Sequence, residues 1–166
     1  LQVVGYCRGA VSHNGSHIID TVRYLVGAEV EWVFGEMESD EGAASDDDLM
    51  GNGYLAFVNG TRAYVRTNPC GAAGWEVDVV GEKGRIRSVA GAEEWELTRM
   101  EPSSLKSPGF GPSSKRSGEF LPAKYPFPWP QRIQGLGLTI VEDLIQAAET
   151  GRPPLCSGED GLAALE

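Results

Sequence analysis

The chain has 166 residues, of which 41% are hydrophobic and 23% charged, a composition typical of one globular domain rather than a disordered segment. Its formal net charge of −10 repels phosphate backbones, and the basic cluster around Lys115 and Arg116 has no periodic pattern, so nucleic-acid binding is not expected. No apolar run approaches the roughly 18 residues of a membrane span, and three widely spaced cysteines favour reduced thiols, so we expect a cytoplasmic protein without a membrane partner.

The first part of the chain predicts a strand followed by a helix. Leu1 to Cys7 form a short apolar segment typical of a strand. A helix is predicted from about Ser16 to Val26, because apolar residues recur there at steps of three and four and Gly27 provides a natural stop. These apolar residues are Ile18, Val22 and Leu25. Because the chain begins strand-like and without methionine, we expect a domain of a longer protein.

The centre of the chain is predicted to be rich in strands. Residues 29–38 alternate as a strand, and 39–48 form an acidic loop. Further strand-like segments are 51–58, 61–67, 74–81, 84–90 and 93–100. Two hairpins are predicted between them, at Asn59-Gly60 and at Glu82-Lys83. The pattern predicts a meander of about five or six antiparallel strands with one face packed on helices.

The stretch from Pro102 to Pro130 is irregular, because seven of the ten prolines lie in it. Loops of this length are usually functional or disordered. Its second half is aromatic and stiffened by proline, which predicts an ordered flap around Tyr125 and Trp129.

A helix is predicted over residues 137–151, ending at Gly151. Its apolar residues on one face are Val141, Leu144, Ile145 and Ala148. Strands grouped between helices predict an α+β fold, in which an open, mostly antiparallel sheet has helices packed on one face.

The stretch GNGYLA, from Gly51 to Ala56, matches the dinucleotide fingerprint GxGxxA. That fingerprint requires a strand before it and a helix N-terminus after it. Here an acidic loop precedes the glycines and strand-like alternation follows them. We therefore assign the two glycines to a loop and predict no dinucleotide site in this chain.

The two histidines of the chain, His13 and His17, lie in the stretch SHNGSHIID, which has more than one interpretation. They would bind a metal ion together with Asp20, since imidazole and carboxylate are common ligands. Alternatively, Ser16 or Asn14 caps the helix, and His17 is a polar residue with no further role.

A third interpretation makes His17 an acid/base group. At a helix N-terminus the dipole disfavours the imidazolium, and a neutral imidazole accepts the proton when an alcohol is oxidised. Asp20 and Tyr24 lie about one and two turns further along the same helix face, where they would orient the ring.

The residues Gly9, Gly15, His17 and Asp20, followed by RYLVG, resemble a signature of the glucose-fructose oxidoreductase/inositol dehydrogenase/MocA (Gfo/Idh/MocA) family. That signature is a glycine-rich strand exit and then D-x-G-x-H-x-x-D, which opens a helix ending in L-x-G. The stretches GYLAFVNGTRAYVRT, VVGEKGRIR and EDLIQAAETGRPPLCSGEDGLAALE are similar to the hairpin, strand turn and C-terminal helix of the family. One departure is His13, where the family commonly has aspartate.

The resemblance implies that residues 1–166 are a single C-terminal substrate-binding and oligomerisation domain. The N-terminal Rossmann domain, which binds NAD or NADP in the family, is absent from this chain. The implied reaction is hydride transfer between the nicotinamide and a carbon that bears a hydroxyl, on a sugar, cyclitol or related polyol. By position, His17 matches the catalytic histidine. The residues expected around the substrate are His13, Asn14, Asp20, Arg8 and Tyr24.

The resemblance also implies a homo-oligomer that forms through the sheet face, and a fragment that is inactive without its dinucleotide domain. An alternative is a non-catalytic dimerisation module of the same fold, in which His13 marks an enzyme that has lost or changed its activity.

Overall fold

A computed structural model describes residues 1–38, 48–68, 74–89, 94–102, 120–126 and 136–165. Several features singled out in the sequence lie outside these ranges: most of the acidic loop, Cys70, the Lys115 and Arg116 cluster, and Trp129.

The described residues form eight strands and three α-helices. The strands are β1 (Gln2–Arg8), β2 (Val30–Met37), β3 (Gly51–Phe57), β4 (Arg62–Asn68), β5 (Trp75–Gly81), β6 (Gly84–Val89), β7 (Glu94–Pro102) and β8 (Phe120–Tyr125). The helices are α1 (Ser16–Val26), α2 (Leu136–Thr150) and α3 (Gly158–Leu165), and a π-helical turn, Val11–Gly15, precedes α1. The predicted α+β class is confirmed.

The strands form one open sheet in the order β2-β3-β4-β1-β5-β6-β7-β8. All neighbours are antiparallel except β1 and β4, which run parallel. The sheet is therefore not the simple meander that the sequence predicted, because the first strand inserts between β4 and β5. Local alternation identifies strands, but it does not show which distant strands pair.

The two predicted hairpins are both present, with different turns. Gly81 pairs with Gly84, so Glu82-Lys83 is the two-residue turn that was predicted. The link between β3 and β4 is longer, because the N–H of Phe57 donates to the carbonyl of Thr61 at 3.1 Å. Gly60 has a φ of +83° in this link, which is the left-handed conformation that glycine adopts at little cost.

Helix α1 packs on one face of the central strands and forms the core with them. Ile18 and Val22 are fully buried. The buried core around them comprises Val3, Cys7, Val26, Leu55, Phe57, Ala63, Val65 and Val77. The helix lies close to β1 at Gly5, where an added Cβ would be 2.8 Å from Cγ1 of Ile18. We call this the helix face of the sheet, and the opposite side the open face.

Strand β8 was missed in the sequence, where its residues were assigned to a flap. It pairs with β7 and forms the edge of the sheet, a position that tolerates Pro122 because an edge strand can lack an N–H. Tyr125 pairs with Leu97, its hydroxyl donates to the carboxylate of Glu101, and the guanidinium of Arg99 lies 5.0 Å from its ring centre. Tyr125 thus belongs to the sheet.

Helix α2 ends at Gly151 as predicted, but its apolar stripe is not covered in the described part of the chain. We define the α2 stripe as Leu138, Ile140, Val141, Leu144 and Ile145, whose exposed fractions lie between 51% and 64%. Ala148 is exposed as well, and Ala147 is the buried residue of this helix. Among the described helices, none is long and apolar enough to span a membrane.

Candidate functional site

Helix α1 has the predicted bounds, but the helical segment that carries His17 begins earlier, because a π-helical turn runs directly into α1. No side-chain hydrogen bond from Asn14 or Ser16 caps this helix. The first amides are held from a distant loop instead. The N–H of Val11 donates to the carbonyl of Leu49 at 3.0 Å, and the N–H of Ser12 donates to Oδ1 of Asp48 at 2.8 Å.

The π-helical turn can lie close to strand β4 because Gly15 has no side chain. The N–H of Gly15 donates to the carbonyl of Ala10, five residues back, at 3.0 Å. Gly15 is buried, and an added Cβ would be 3.1 Å from Cγ2 of Thr67 on β4. The glycine thus lets the turn lie close to the sheet, and such π turns occur frequently at functional sites.

Asn14 connects this turn to the end of β1. Its Nδ2 donates to the carbonyl of Arg8 and lies 3.0 Å from where a Cβ on Gly9 would be. Gly9 has a φ of +109°, which an L side chain rarely adopts. The amide nitrogen of Asn14 therefore has a structural role, which ties the turn to the end of β1.

His17 is exposed on the side of α1 opposite the buried Ile18 and Val22. Its carbonyl accepts a hydrogen bond from Oγ1 of Thr21 at 2.8 Å. Within the described residues, no hydrogen bond or ion pair is formed by its ring. Because the helical segment starts at Val11, His17 lies more than one turn inside it. His17 therefore does not lie at the helix N-terminus where the sequence placed it.

Asp20 and Tyr24 line a cleft of about 550 Å³ beside α1, which we call the α1 cleft. Asp20 lies 3.9 Å from the guanidinium of Arg23, which also binds Oε2 of Glu29 at 3.3 Å. The other terminal nitrogen of Arg23 donates a hydrogen bond to the carbonyl of Asp160 on α3, at 3.2 Å. Asp20 is thus paired with Arg23 and does not orient the ring of His17.

The side chain of Arg8 does not join the other predicted residues, although its carbonyl binds Asn14. Strand alternation places it on the open face with Gln2 and Tyr6, whereas Val3 and Cys7 face α1. His13 is exposed on the π turn, one helical turn before His17. The structure therefore brings His13, Asn14 and His17 together along one helical segment that leads to the α1 cleft.

Neither a metal site nor a dinucleotide turn is formed by the described residues. No three His, Cys, Asp or Glu side chains among them lie close enough to hold a metal ion, and this includes His13, His17 and Asp20. Gly51 and Gly53 lie within β3, not in the predicted loop. Since that stretch is a strand and leads to a hairpin, it lacks the helix N-terminus that would bind a pyrophosphate.

Two further features near α1 could not be assigned from the sequence. The N–H of Ser12 is the main reason that the pKa of Asp48 lies below its usual value, because the bond favours the ionised carboxylate. Cys156 is exposed in the α1 cleft, whereas Cys7 is buried in the core, where burial raises the pKa of its thiol. The acidic composition of residues 39–48 was the one signal in the sequence that pointed to a carboxylate such as Asp48.

Comparison with known proteins identifies the fold. The profile described as "Oxidoreductase family, C-terminal alpha/beta domain" matches residues 7–166. Comparison with curated protein sequences finds no match.

Among solved structures, UDP-N-acetylglucosamine 3-dehydrogenase GnnA from Acidithiobacillus ferrooxidans superposes with a TM-score of 0.68 at 16% identity, over 99% of this chain and 51% of that one. Aldose-aldose oxidoreductase from Caulobacter crescentus, complexed with glycerol, has a TM-score of 0.68 at 19% identity. The match covers 99% of this chain and 50% of that one. Levoglucosan dehydrogenase in complex with NADH has a TM-score of 0.68 at 19% identity. The match covers 99% of this chain and 54% of that one.

This chain thus spans about half the length of the solved structures that it matches. At such identities the likeness establishes the fold alone, whereas the family profile covers nearly all of the sequence. The chain belongs to the C-terminal α/β domain family of the Gfo/Idh/MocA oxidoreductases.

Proposed function

We propose that this chain is the substrate domain of an NAD(P)-dependent dehydrogenase that acts on a hydroxyl of a sugar, cyclitol or related polyol. The observation that carries the proposal is the exposed ring of His17, on the uncovered side of α1 in a domain of this family. The names of the similar structures support the substrate class, because they are a sugar-nucleotide dehydrogenase, an aldose oxidoreductase and a levoglucosan dehydrogenase bound to NADH.

In this proposal His17 is the base. Its ring is not engaged by any described residue, so a nitrogen is available to take the proton of the substrate hydroxyl. The nicotinamide cofactor, when bound, accepts the hydride from the same carbon, which becomes a carbonyl. His13 and Oδ1 of Asn14 lie on the preceding turn and would bind neighbouring hydroxyls. Asp20 and Tyr24 offer a carboxylate and a phenol on the cleft side of the helix.

NAD or NADP would be bound by a Rossmann domain of the same protein, since β3 provides no phosphate-binding turn. We propose that the α2 stripe packs against that domain, because exposed apolar patches of this kind mark interaction sites. Ile145→Asp should then lower the unfolding midpoint of the intact protein and leave that of the 166-residue chain unchanged. Equal effects on both proteins would exclude this interface.

The test of the base is kinetic. In the enzyme that includes its dinucleotide domain, His17→Ala should lower kcat by on the order of 10²-fold or more, as loss of an acid/base group does. Lys83→Ala, an exposed residue in the β5–β6 turn, serves as the control and should retain kcat. Near wild-type turnover of His17→Ala would remove this residue from the mechanism.

The alternative of a non-catalytic dimerisation module requires a dimer interface, which the aromatic side chains on the open face provide in both functions. The rings of Trp32 and Tyr54 lie 5.7 Å apart, and Phe34 beside them is 72% exposed. We propose that two copies of the chain pair through this face in either case. Incubating the intact protein with NAD, NADP and a panel of polyols separates the two functions, because cofactor reduction requires an enzyme.

The pairing itself is tested by sedimentation. Phe34→Asp should produce monomers, whereas Val58→Asp, exposed in the β3–β4 link, should not. A Phe34→Asp protein that stays dimeric would exclude the open face as the interface.

The free thiols of Cys7 and Cys156 support our further proposal of a reducing, cytoplasmic location, which fractionation of cells would test.

A further inference from the structure

The start of the helical segment that carries His17 is held by two consecutive residues that lie far from it in the sequence. Asp48 and Leu49 lie between β2 and β3, and Asp48 is separated from Ser12 by 36 positions. Oδ1 of Asp48 accepts the N–H of Ser12 at 2.8 Å, and the carbonyl of Leu49 accepts the N–H of Val11 at 3.0 Å. The bond to the N–H of Ser12 is the main reason that the pKa of Asp48 is lowered. The N–H groups of Val11 and Ser12 are amides that have no partner within the helix itself.

The turn held in this way carries His13 and Asn14 and continues without interruption into α1. Its other anchors are different in kind. Asn14 binds the carbonyl of Arg8 at the end of β1, and Gly15 lies against Thr67 on β4. Both of these anchors join the turn to the central strands. Asp48, by contrast, lies outside the strands, between β2 and β3, and it holds the turn with a charged carboxylate.

We propose that Asp48 is a positioning residue for His17, which it holds in place by fixing the first turn of the helical segment. The inference rests on the proposed role of His17 as the base. Asp48 does not touch the reacting atoms. Its carboxylate sets where the helix begins, and therefore how His13, Asn14 and His17 are presented together. A displacement of reacting groups by about 1 Å is enough to reduce turnover strongly.

The experiment compares two substitutions of Asp48 in the enzyme that includes its dinucleotide domain. Asp48→Ala removes the acceptor for the N–H of Ser12, and kcat should fall roughly tenfold while KM changes by less than about twofold. Asp48→Asn removes the charge but keeps an acceptor oxygen, and it should restore kcat to within about twofold of wild type. Each variant is assayed at a temperature where circular dichroism shows it to be fully folded.

Asp143→Ala is the matched control. Asp143 is another carboxylate that accepts a backbone N–H, that of Leu155 at 2.8 Å, but it is partly buried and lies on α2. This variant should retain kcat. Wild-type kcat in Asp48→Ala would overturn the proposal. So would an Asp48→Asn protein as impaired as Asp48→Ala, because that result would mean that the charge matters and not the hydrogen bond.

Hydrogen exchange separates this proposal from the proposed function. If the wild-type protein reduces no cofactor with any substrate, the enzymatic function fails, but the effect of Asp48 on the turn can still be measured. The amide of Ser12 should exchange faster in Asp48→Ala than in wild type, and unchanged exchange overturns the role of Asp48 whatever the activity.

Discussion

Helices α1 and α2 have the same kind of sequence pattern and very different surroundings. Each shows apolar residues at steps of three and four, and each ends at a glycine with a positive φ. In α1 the apolar side is buried on the sheet, with Ile18 and Val22 fully covered. In α2 the equivalent stripe is more than half exposed.

The difference shows what amphipathic spacing can and cannot predict. Spacing predicts that a helix forms and which side is apolar, because both follow from the geometry of the helix itself. It does not predict what the apolar side packs against. For α1 that partner is the sheet, and for α2 the proposed partner is the dinucleotide domain. Helix α1, which packs on the sheet, carries His17, whereas our proposal assigns α2 to the contact between the two domains.

The largest expected effect comes from truncating one isoleucine in each helix of the 166-residue chain. Ile18→Ala should lower the free energy of unfolding by about 2–5 kcal/mol, because it opens a cavity in a packed core. Ile145→Ala, the matched change in the α2 stripe, should cost less than about 0.5 kcal/mol, as surface substitutions usually do. Urea denaturation measures both values. Similar losses would mean that α2 is packed on the domain after all.

Much of the fold could be predicted from the sequence, and the failures have physical reasons. The bounds of α1 and the Glu82-Lys83 turn were correct because they depend on neighbouring residues. The position of β1 beside β4 was missed because pairing between distant strands leaves no local pattern. Strand β8 was missed because prolines argue against a strand unless it lies at an edge.

A smaller effect is expected where α1 approaches the sheet most closely. Gly5→Ala should destabilise the chain by about 1–3 kcal/mol, since the new methyl group would meet the buried branch of Ile18 at 2.8 Å. Gly53→Ala on β3 is the control, because its nearest contact would be an ordinary 3.8 Å from Leu55. Chemical denaturation distinguishes them. If Gly5→Ala is as stable as wild type, α1 can move away from β1 and is not rigidly packed.

The candidate site was predicted less completely than the fold. His13, Asn14 and His17 could be named because they are adjacent in the sequence, and the structure places them along one helical segment. The side chain of Arg8 lies on the open face, because one position in a strand decides which face a side chain occupies. Asp48 could not be connected with Ser12, because a contact across 36 positions depends on where the loop returns to the sheet.

The smallest expected effect distinguishes the two helices by pH. The end of α2 is attached to the following segment by Asp143, whose carboxylate accepts the N–H of Leu155 and pairs with Arg152. The bond from Leu155, and then Arg152, lowers the pKa of Asp143 below its usual value of 3.8. Because the folded pKa is the lower one, this attachment is complete above 3.8 and is lost as the pH falls through the folded pKa. The packing of α1 on the sheet around Val22 is apolar and should not respond over the same range.

Nuclear magnetic resonance of the chain between pH 6 and 2 measures both helices in one experiment. The amide proton of Leu155 should shift with a midpoint below 3.8, whereas that of Val22 in α1 should stay constant while the chain is folded. In Asp143→Asn the shift of Leu155 should disappear, because no carboxyl group remains there to titrate. If Leu155 instead titrates unchanged in that variant, another acid holds the end of α2. If Val22 moves together with Leu155, the two helices are coupled, and the contrast between a packed helix and a tethered one does not describe this domain.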